Sequence, residues 1–214
     1  MLKIWGRKTS SNVQTVMWCV GEMGLAYERI DAGFSYGVVD TPQYRAMNPM
    51  GRVPTIQDGD NPPLWESGAI LRYLANTYGE ESLWPSDPVA RAGVDMWAEW
   101  AKINFATGFS VPVFWPVVRI APSKRDPAII QAGLDKLNPL LDIAEAELSK
   151  STYLAGDDLT LADIQFATNL YRYFDIEIER ADHPNVRRYY DRLTGRPAFQ
   201  EHVMVSYDEL RVTD

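Results

Sequence analysis

Asn48-Pro49-Met50-Gly51-Arg52-Val53-Pro54-Thr55, followed by Glu66-Ser67-Gly68-Ala69-Ile70, holds the residue types best placed to do chemistry in this chain. Pro54 stands at the mouth of an expected strand, where a proline removes a ladder donor and so needs a reason. A cis X-Pro turn is one such reason, because it leaves the neighbouring backbone N–H and C=O free for a ligand. Glu66 and Ser67 stand at the mouth of an expected helix. A helix start carries unpaired N–H groups and a partial positive charge, which suits a carboxylate. Taken together, the two stretches describe a site for something peptide-like and anionic.

The elements that must position this site are legible as a pattern. Leu2–Trp5 reads as a short apolar strand. Val13, Val16, Met17 and Val20 follow helical spacing, and Gly24 fits a helix end. Ala26–Ile30 reads as a second strand and residues 40–47 as a short helix. Thr55–Gln57 and Pro63–Trp65 frame Asp58-Gly59-Asp60-Asn61, which suits a hairpin turn. Ser67–Tyr78 reads as a helix with Ile70, Leu71, Leu74 and Tyr78 on one face, ending at Gly79. The β-α-β then β-β-α order predicts a small α/β domain over residues 1–79. Residues 80–88, polar and rich in turn formers, read as a linker. Residues 89–214 read as an all-α domain. There Leu134, Leu137, Leu140, Leu141, Ala144 and Leu148 make one apolar face. Thr160-Leu161-Ala162-Asp163 resembles a capping box, with Asp in the usual Glu or Gln place. Ile164, Ala167, Leu170, Tyr171 and Phe174 continue that helix, and Asn185–Leu193 forms another. Asp163 is expected to be a folding element, and His183, before Pro184, an exposed loop residue.

Bulk properties narrow the function. With 46% hydrophobic and 23% charged residues, the 214-residue chain is composed like an ordinary globular protein. The net charge of −8 disfavours a nucleic-acid partner, whose phosphates call for basic surface. No apolar run approaches the ~20 residues of a membrane span, and the N-terminus lacks the pattern of a signal peptide, so a cytoplasmic protein is expected. Cys19 is the single cysteine, so no internal disulfide forms. With His183 and His202 it makes no zinc cluster, and no metal is expected.

The motifs, taken in order, resemble a cytosolic glutathione S-transferase of a bacterial branch. The matching pieces are Asn-Pro-x-Gly-x-Val-Pro at 48–54, Glu-Ser-x-Ala-Ile at 66–70 and Leu-Thr-Leu-Ala-Asp-Ile at 159–164. Gly195-Arg196-Pro197-Ala198-Phe199 and the run from Gly6 to Val13 add support. Any one motif is weak, but their order spans nearly the whole chain. The resemblance implies a thioredoxin-like N-terminal domain, an all-helical C-terminal domain, glutathione as co-substrate and a homodimer. It assigns Val53 to backbone pairing with the cysteinyl unit of glutathione, with Pro54 cis. It assigns Glu66 and Ser67 to the glutamyl end and Arg52 to the glycyl carboxylate. Ser67 also suits a plain N-cap, and Arg52 a solvated side chain.

The implied chemistry needs a thiolate, because the thiolate is the nucleophile. Lowering a thiol pKa by about two units from ~8.5 takes ~2.7 kcal/mol. One hydrogen bond to a charged group supplies ~1.5–3 kcal/mol, and a helix N-terminus adds ~0.3–1 kcal/mol. A single donor at the first helix start therefore suffices. The loop Gly6-Arg7-Lys8-Thr9-Ser10-Ser11-Asn12 offers the candidates. Resemblance puts Ser10 at the usual serine or threonine position and Asn12 where some bacterial members carry a functional asparagine. Ser11 is the third candidate and a credible N-cap. No Tyr lies near the end of the first strand, which excludes a tyrosine-type site, and Cys19 falls inside the helix as a structural thiol.

For the second substrate, aromatic residues crowd 97–115, and Pro112 and Pro116 interrupt that helical region. A kinked aromatic helix suits one wall of an apolar pocket. Ordinary core packing is the first reading for any single aromatic, and family position makes Phe109 and Trp115 the better candidates for the pocket. The expected function is conjugation of glutathione to an apolar electrophile, a detoxifying reaction. A glutathione-dependent disulfide reductase or peroxidase would use the same residues, with Asn12 taking the larger part. A non-catalytic binding module would not need to keep them all.

Overall fold

The computed structural model describes all residues from Met1 to Asp214. They form two compact units, one of residues 1–80 with 197–205 and one of residues 81–196 with 206–214. The partition at 79–88 read from composition does not anticipate that residues 197–205 pack with the first unit.

The first unit is a four-stranded sheet with helices. Its elements are β1 (Leu2–Trp5), α1 (Ser11–Glu22), β2 (Tyr27–Ile30), α2 (Pro42–Met47), β3 (Thr55–Asp58), β4 (Leu64–Trp65) and α3 (Ser67–Tyr78). The strand order is β2-β1-β3-β4, with β1 and β2 parallel and the other pairs antiparallel. Parallel neighbours need a crossover, and α1 supplies it between β1 and β2. Antiparallel β3 and β4 are joined by the Asp58–Asn61 turn, where the Asn61 N–H donates to the Asp58 carbonyl. Along β1, Leu2 and Ile4 are buried while Lys3 is exposed, the alternation expected of a strand. Val13, Val16, Met17 and Val20 of α1 are all buried, as their spacing predicts.

Residues 197–205 join this unit through α1. The helix α11 (Pro197–His202) sets the Phe199 ring edge-on to Trp18, centroids 4.8 Å apart. Gly21 lets the two helices approach. A Cβ there would lie 2.7 Å from a ring carbon of His202 and 3.0 Å from the Ala198 Cβ.

The second unit is helical. It contains α4 (Pro88–Trp100), α5 (Ala106–Phe109), α6 (Trp115–Val118), α7 (Pro127–Leu148), α8 (Leu161–Ala167), α9 (Leu170–Asp175) and α10 (Pro184–Thr194). The segments 101–105 and 110–114 are π-helical turns that join α4, α5 and α6 without a break. Pro112 lies in the second of these, where the wider turn accommodates a residue that cannot donate. Gly133 of α7 packs there, since a Cβ on it would stand 2.5 Å from the Pro112 carbonyl oxygen. The core is an aromatic cluster: Phe105 stacks near-parallel on Phe109 and meets Phe166 edge-on at 4.6 Å.

Three expectations change here. The helix expected to run unbroken from Ile164 to Phe174 is two helices, parted at Thr168 and Asn169. The Thr168 hydroxyl donates back to the Ile164 carbonyl at 2.7 Å, a bond that competes with the helical ladder. His183 is buried, not exposed. Pro184 opens α10, so His183 becomes its N-cap residue and its Nε2 lies 3.0 Å from Asp142 Oδ1 of α7. The second strand begins at Tyr27 instead of Ala26.

Asp163 forms the capping box and more. Its carboxylate, fully buried, accepts from the Thr160 N–H at 2.8 Å and the Thr160 hydroxyl at 2.9 Å. It also accepts from the Leu154 N–H at 2.9 Å and the Tyr189 hydroxyl at 2.9 Å. Burial pushes this carboxyl above the usual range, and the four donors oppose that rise. One side chain thus ties the start of α8 to the 154 loop and to α10. Asp163→Asn turns an NH2 toward two of these four donors and is expected to cost roughly 2–4 kcal/mol in urea unfolding.

Candidate active site

The pocket of interest lies in the first unit. It is lined by Asn12, Asn48, Met50, Arg52, Val53, Pro54, Trp65, Glu66 and Ser67, and has a volume of about 100 Å³. Three pieces of backbone build it: the first turn of α1, the loop between α2 and β3, and the start of α3.

The loop does most of the shaping. Asn48 ends α2, and the Gly51 N–H donates to the Asn48 carbonyl at 3.0 Å to close a turn. Gly51 has φ +58°, a left-handed conformation that glycine adopts without penalty. The Val53–Pro54 peptide is cis. Neither the N–H nor the C=O of Val53 has a partner within the chain, although Thr55, two residues on, is already paired in the sheet. The pocket therefore presents a donor and an acceptor from a single residue. That is the pairing an extended peptide offers in return.

The start of α3 supplies the opposite end. Glu66 is its N-cap residue with φ +68°, an uncommon conformation for a side-chain-bearing residue and one that costs on the order of 1–3 kcal/mol. The first ladder bond of the helix runs from the Ile70 N–H to the Glu66 carbonyl at 2.9 Å, which leaves the N–H groups of Ser67, Gly68 and Ala69 ahead of it. No acidic side chain occupies that first turn. The Ser67 hydroxyl has no partner in the chain and caps nothing, which removes the plain N-cap reading. Arg52 is exposed, and its guanidinium makes no ion pair.

The three candidates for the sulfur contact sit around the start of α1. Ser10 is the N-cap residue, buried to 9% exposure, and its hydroxyl caps no backbone N–H. Ser11 is the first helical residue and half-buried, so the N-cap role falls to Ser10. Asn12 is exposed, has no partner in the chain and is the member of the trio that lines the pocket.

The chain that carries this arrangement matches known proteins along most of its length. Residues 1–76 match the glutathione S-transferase N-terminal domain and residues 106–197 the glutathione S-transferase C-terminal domain. The chain belongs to the glutathione S-transferase family. Glutathione S-transferase GstB of Escherichia coli strain K12 is 36% identical over 206 residues, covering 96% of this chain and 99% of its own. Glutathione S-transferase 3 of Zea mays is 34% identical, covering 94% of this chain and 93% of its own. Among solved structures, the theta class glutathione S-transferase of Xanthomonas axonopodis pv. citri with glutathione bound superposes with a TM-score of 0.89 at 44% identity, over 96% of this chain and 98% of that one.

Within this transferase fold, Asn48, Met50 and Trp65 join the pocket without having been singled out from the sequence. Asn48 and Met50 lay inside the motif, so proximity to Val53 was their signal. Trp65 lay one residue before Glu66. Phe109 and Trp115 belong to the helical unit. Phe109 has no exposed surface and packs among Phe105, Phe114 and Tyr173, so in this structure it is a core residue and not a pocket wall. Trp115 is half-buried, with the Arg119 guanidinium 3.8 Å from its ring centroid.

Cys19 stands apart from the site. It is completely buried in α1, and burial together with the nearby Glu22 carboxylate pushes its thiol well above the ordinary value. We expect no reaction of Cys19 with a maleimide in the folded protein at neutral pH, and stoichiometric labelling once denaturant is added, read by mass spectrometry.

Proposed function

We propose that this transferase conjugates the thiolate of glutathione to an electrophilic carbon of an apolar substrate. The observation that carries the reading is the pocket's pairing of an unpartnered Val53 backbone with the bare N-terminus of α3. Glutathione is an anionic tripeptide, and each of its ends has a matching group. The glutamyl carboxylate meets the α3 N–H groups and the Ser67 hydroxyl, and its ammonium group meets Glu66. The cysteinyl unit pairs with Val53, and the glycyl carboxylate meets Arg52. The sulfur then faces the start of α1.

There Ser10 donates to the sulfur, and its idle hydroxyl at a helix N-terminus supports that role. Asn12 shapes the wall beside it. Ionisation of the thiol releases a proton to solvent. The sulfur lone pair then forms a C–S bond with the electrophile, whose leaving group departs with the bonding electrons. Trp115 is the candidate for contact with the apolar substrate. The chain is further proposed to act as a cytoplasmic homodimer. No helix is long and apolar enough to cross a membrane, and no group of three or more His, Cys, Asp and Glu side chains is placed to hold a metal.

Turnover with a chloronitrobenzene, an organic hydroperoxide and a small disulfide tests the reaction class. Conjugation of the chloronitrobenzene is expected, and activity on the disulfide alone would replace this reading with the reductase. Ser10→Ala should lose about 10- to 100-fold in kcat, the worth of one hydrogen bond to a charged group. It should also raise the pKa of bound thiol, read from ultraviolet thiolate absorbance. An unchanged absorbance titration would move the donor role to Asn12. Ser67→Ala should instead raise the KM for glutathione about 5- to 20-fold with little change in kcat.

A further inference from the structure

Beneath the pocket loop lies a polar cluster of three side chains, of which Asn48 alone reaches the pocket lining. Tyr44 of α2 is 1% exposed, Asn48 is 2% exposed and Thr55 of β3 has no exposed surface. Their hydrogen bonds run in one direction. The Tyr44 hydroxyl donates to the Arg52 carbonyl at 2.6 Å. That uses its single proton, so the 2.8 Å contact between the Tyr44 and Thr55 hydroxyls has Thr55 as donor. Thr55 then accepts from Asn48 Nδ2 at 3.0 Å. The same Asn48 amide nitrogen donates to the Arg52 carbonyl at 2.8 Å. The Asn48 amide cannot flip without loss, because its Oδ1 accepts the Met50 N–H at 3.0 Å. All lines end on one acceptor, the carbonyl oxygen of Arg52, which takes two buried donors.

That carbonyl belongs to the same planar unit as the Val53 N–H. In a trans peptide the C=O and N–H point in opposite directions. The peptide between Arg52 and Val53 is trans, since the one cis bond is the next along. Holding the Arg52 oxygen inward therefore holds the Val53 N–H outward, toward the pocket that Val53 lines. We propose that Tyr44, Asn48 and Thr55 are positioning residues that fix the Arg52–Val53 peptide plane and so preorganise the Val53 N–H for the cysteinyl carbonyl of glutathione. None of the three is a catalytic residue, and the proposal rests on the glutathione reading above. Burial raises the Tyr44 phenol, which keeps it a donor across the working pH range.

Burying a polar side chain costs free energy unless it is hydrogen-bonded, and all three of these are hydrogen-bonded. What the polar arrangement provides, and an apolar one does not, is a fixed rotation of a single peptide plane. A loop free to turn that plane would lose that freedom on each binding event, and the entropic cost falls on affinity for the tripeptide.

Steady-state kinetics on the full chain test this. Tyr44→Phe removes one donor and keeps the ring, and Thr55→Val removes the hydroxyl that orients it. Each is expected to raise the KM for glutathione about 5- to 10-fold, while kcat at saturating glutathione moves less than about twofold and the KM for the electrophile stays put. Thr55→Ser keeps the hydroxyl and should restore the KM to within about twofold of the unaltered chain. Should Tyr44→Phe fail to fold, the Thr55 pair carries the same test. A lowered melting temperature with an unchanged KM for glutathione would overturn the proposal and reduce the cluster to structure. Calorimetric titration of the unaltered chain separates the two readings. If it binds no glutathione, the functional reading falls and the proposal with it. If it binds and the variants bind equally well, the proposal alone falls.

Discussion

The peptide unit between Arg52 and Val53 is bonded on one side only. Its carbonyl is held by Tyr44 and Asn48, and its N–H is left to the pocket. A buried backbone group normally finds a partner within the fold, so a free one at a pocket wall is a constraint on everything around it. β3 must begin two residues later, at Thr55, or the sheet would absorb the donor. The cis peptide at Pro54 allows the chain to turn from loop to strand without committing Val53 to the ladder. Gly51 supplies the left-handed step that brings the loop back over α2. The first unit of this transferase is in that sense arranged to keep one residue unpaired.

The second pole of the site follows different physics. At the start of α3 the helix offers N–H groups and a partial positive charge, with no acidic side chain in its first turn and no side-chain cap. Glu66 adds an acceptor at the same corner, in a conformation that most residues avoid. A zwitterionic glutamyl group needs both signs within a few ångströms, and this corner has them. On the proposed reading, selectivity for the tripeptide comes from spacing: the fixed distance between a loop with an unpartnered peptide backbone and a helix end suited to a carboxylate.

Much of this was legible in the sequence, and for local reasons. Ser67–Tyr78 and Leu2–Trp5 were readable to the residue, because a spaced apolar face, a terminal glycine and strand alternation are short-range signals. Val53, Pro54, Glu66 and Ser67, which line one pocket, could be picked out because a proline at a strand mouth needs a reason and a helix start offers unpaired N–H groups. What was not legible depended on contacts distant in sequence. His183 looked like a loop residue because nothing near it announces Asp142, 41 positions away, as its partner. Phe109 looked like a pocket residue because an aromatic on a kinked helix has the same composition whichever way it faces. The place of residues 197–205 in the first unit depended on Trp18 meeting Phe199. Tyr44 and Thr55 gave no functional signal, since their part is played through the Arg52 carbonyl, an atom common to every residue type.

The central claim is that the unpartnered Val53 backbone and the α3 N-terminus together hold one tripeptide. A crystal structure of the chain with glutathione tests it most directly. The account predicts the cysteinyl unit paired with both the N–H and the C=O of Val53, with the glutamyl carboxylate against the N–H groups of Ser67 and Gly68. A tripeptide bound with the Val53 N–H still unpaired, or with its glutamyl end away from α3, would contradict it.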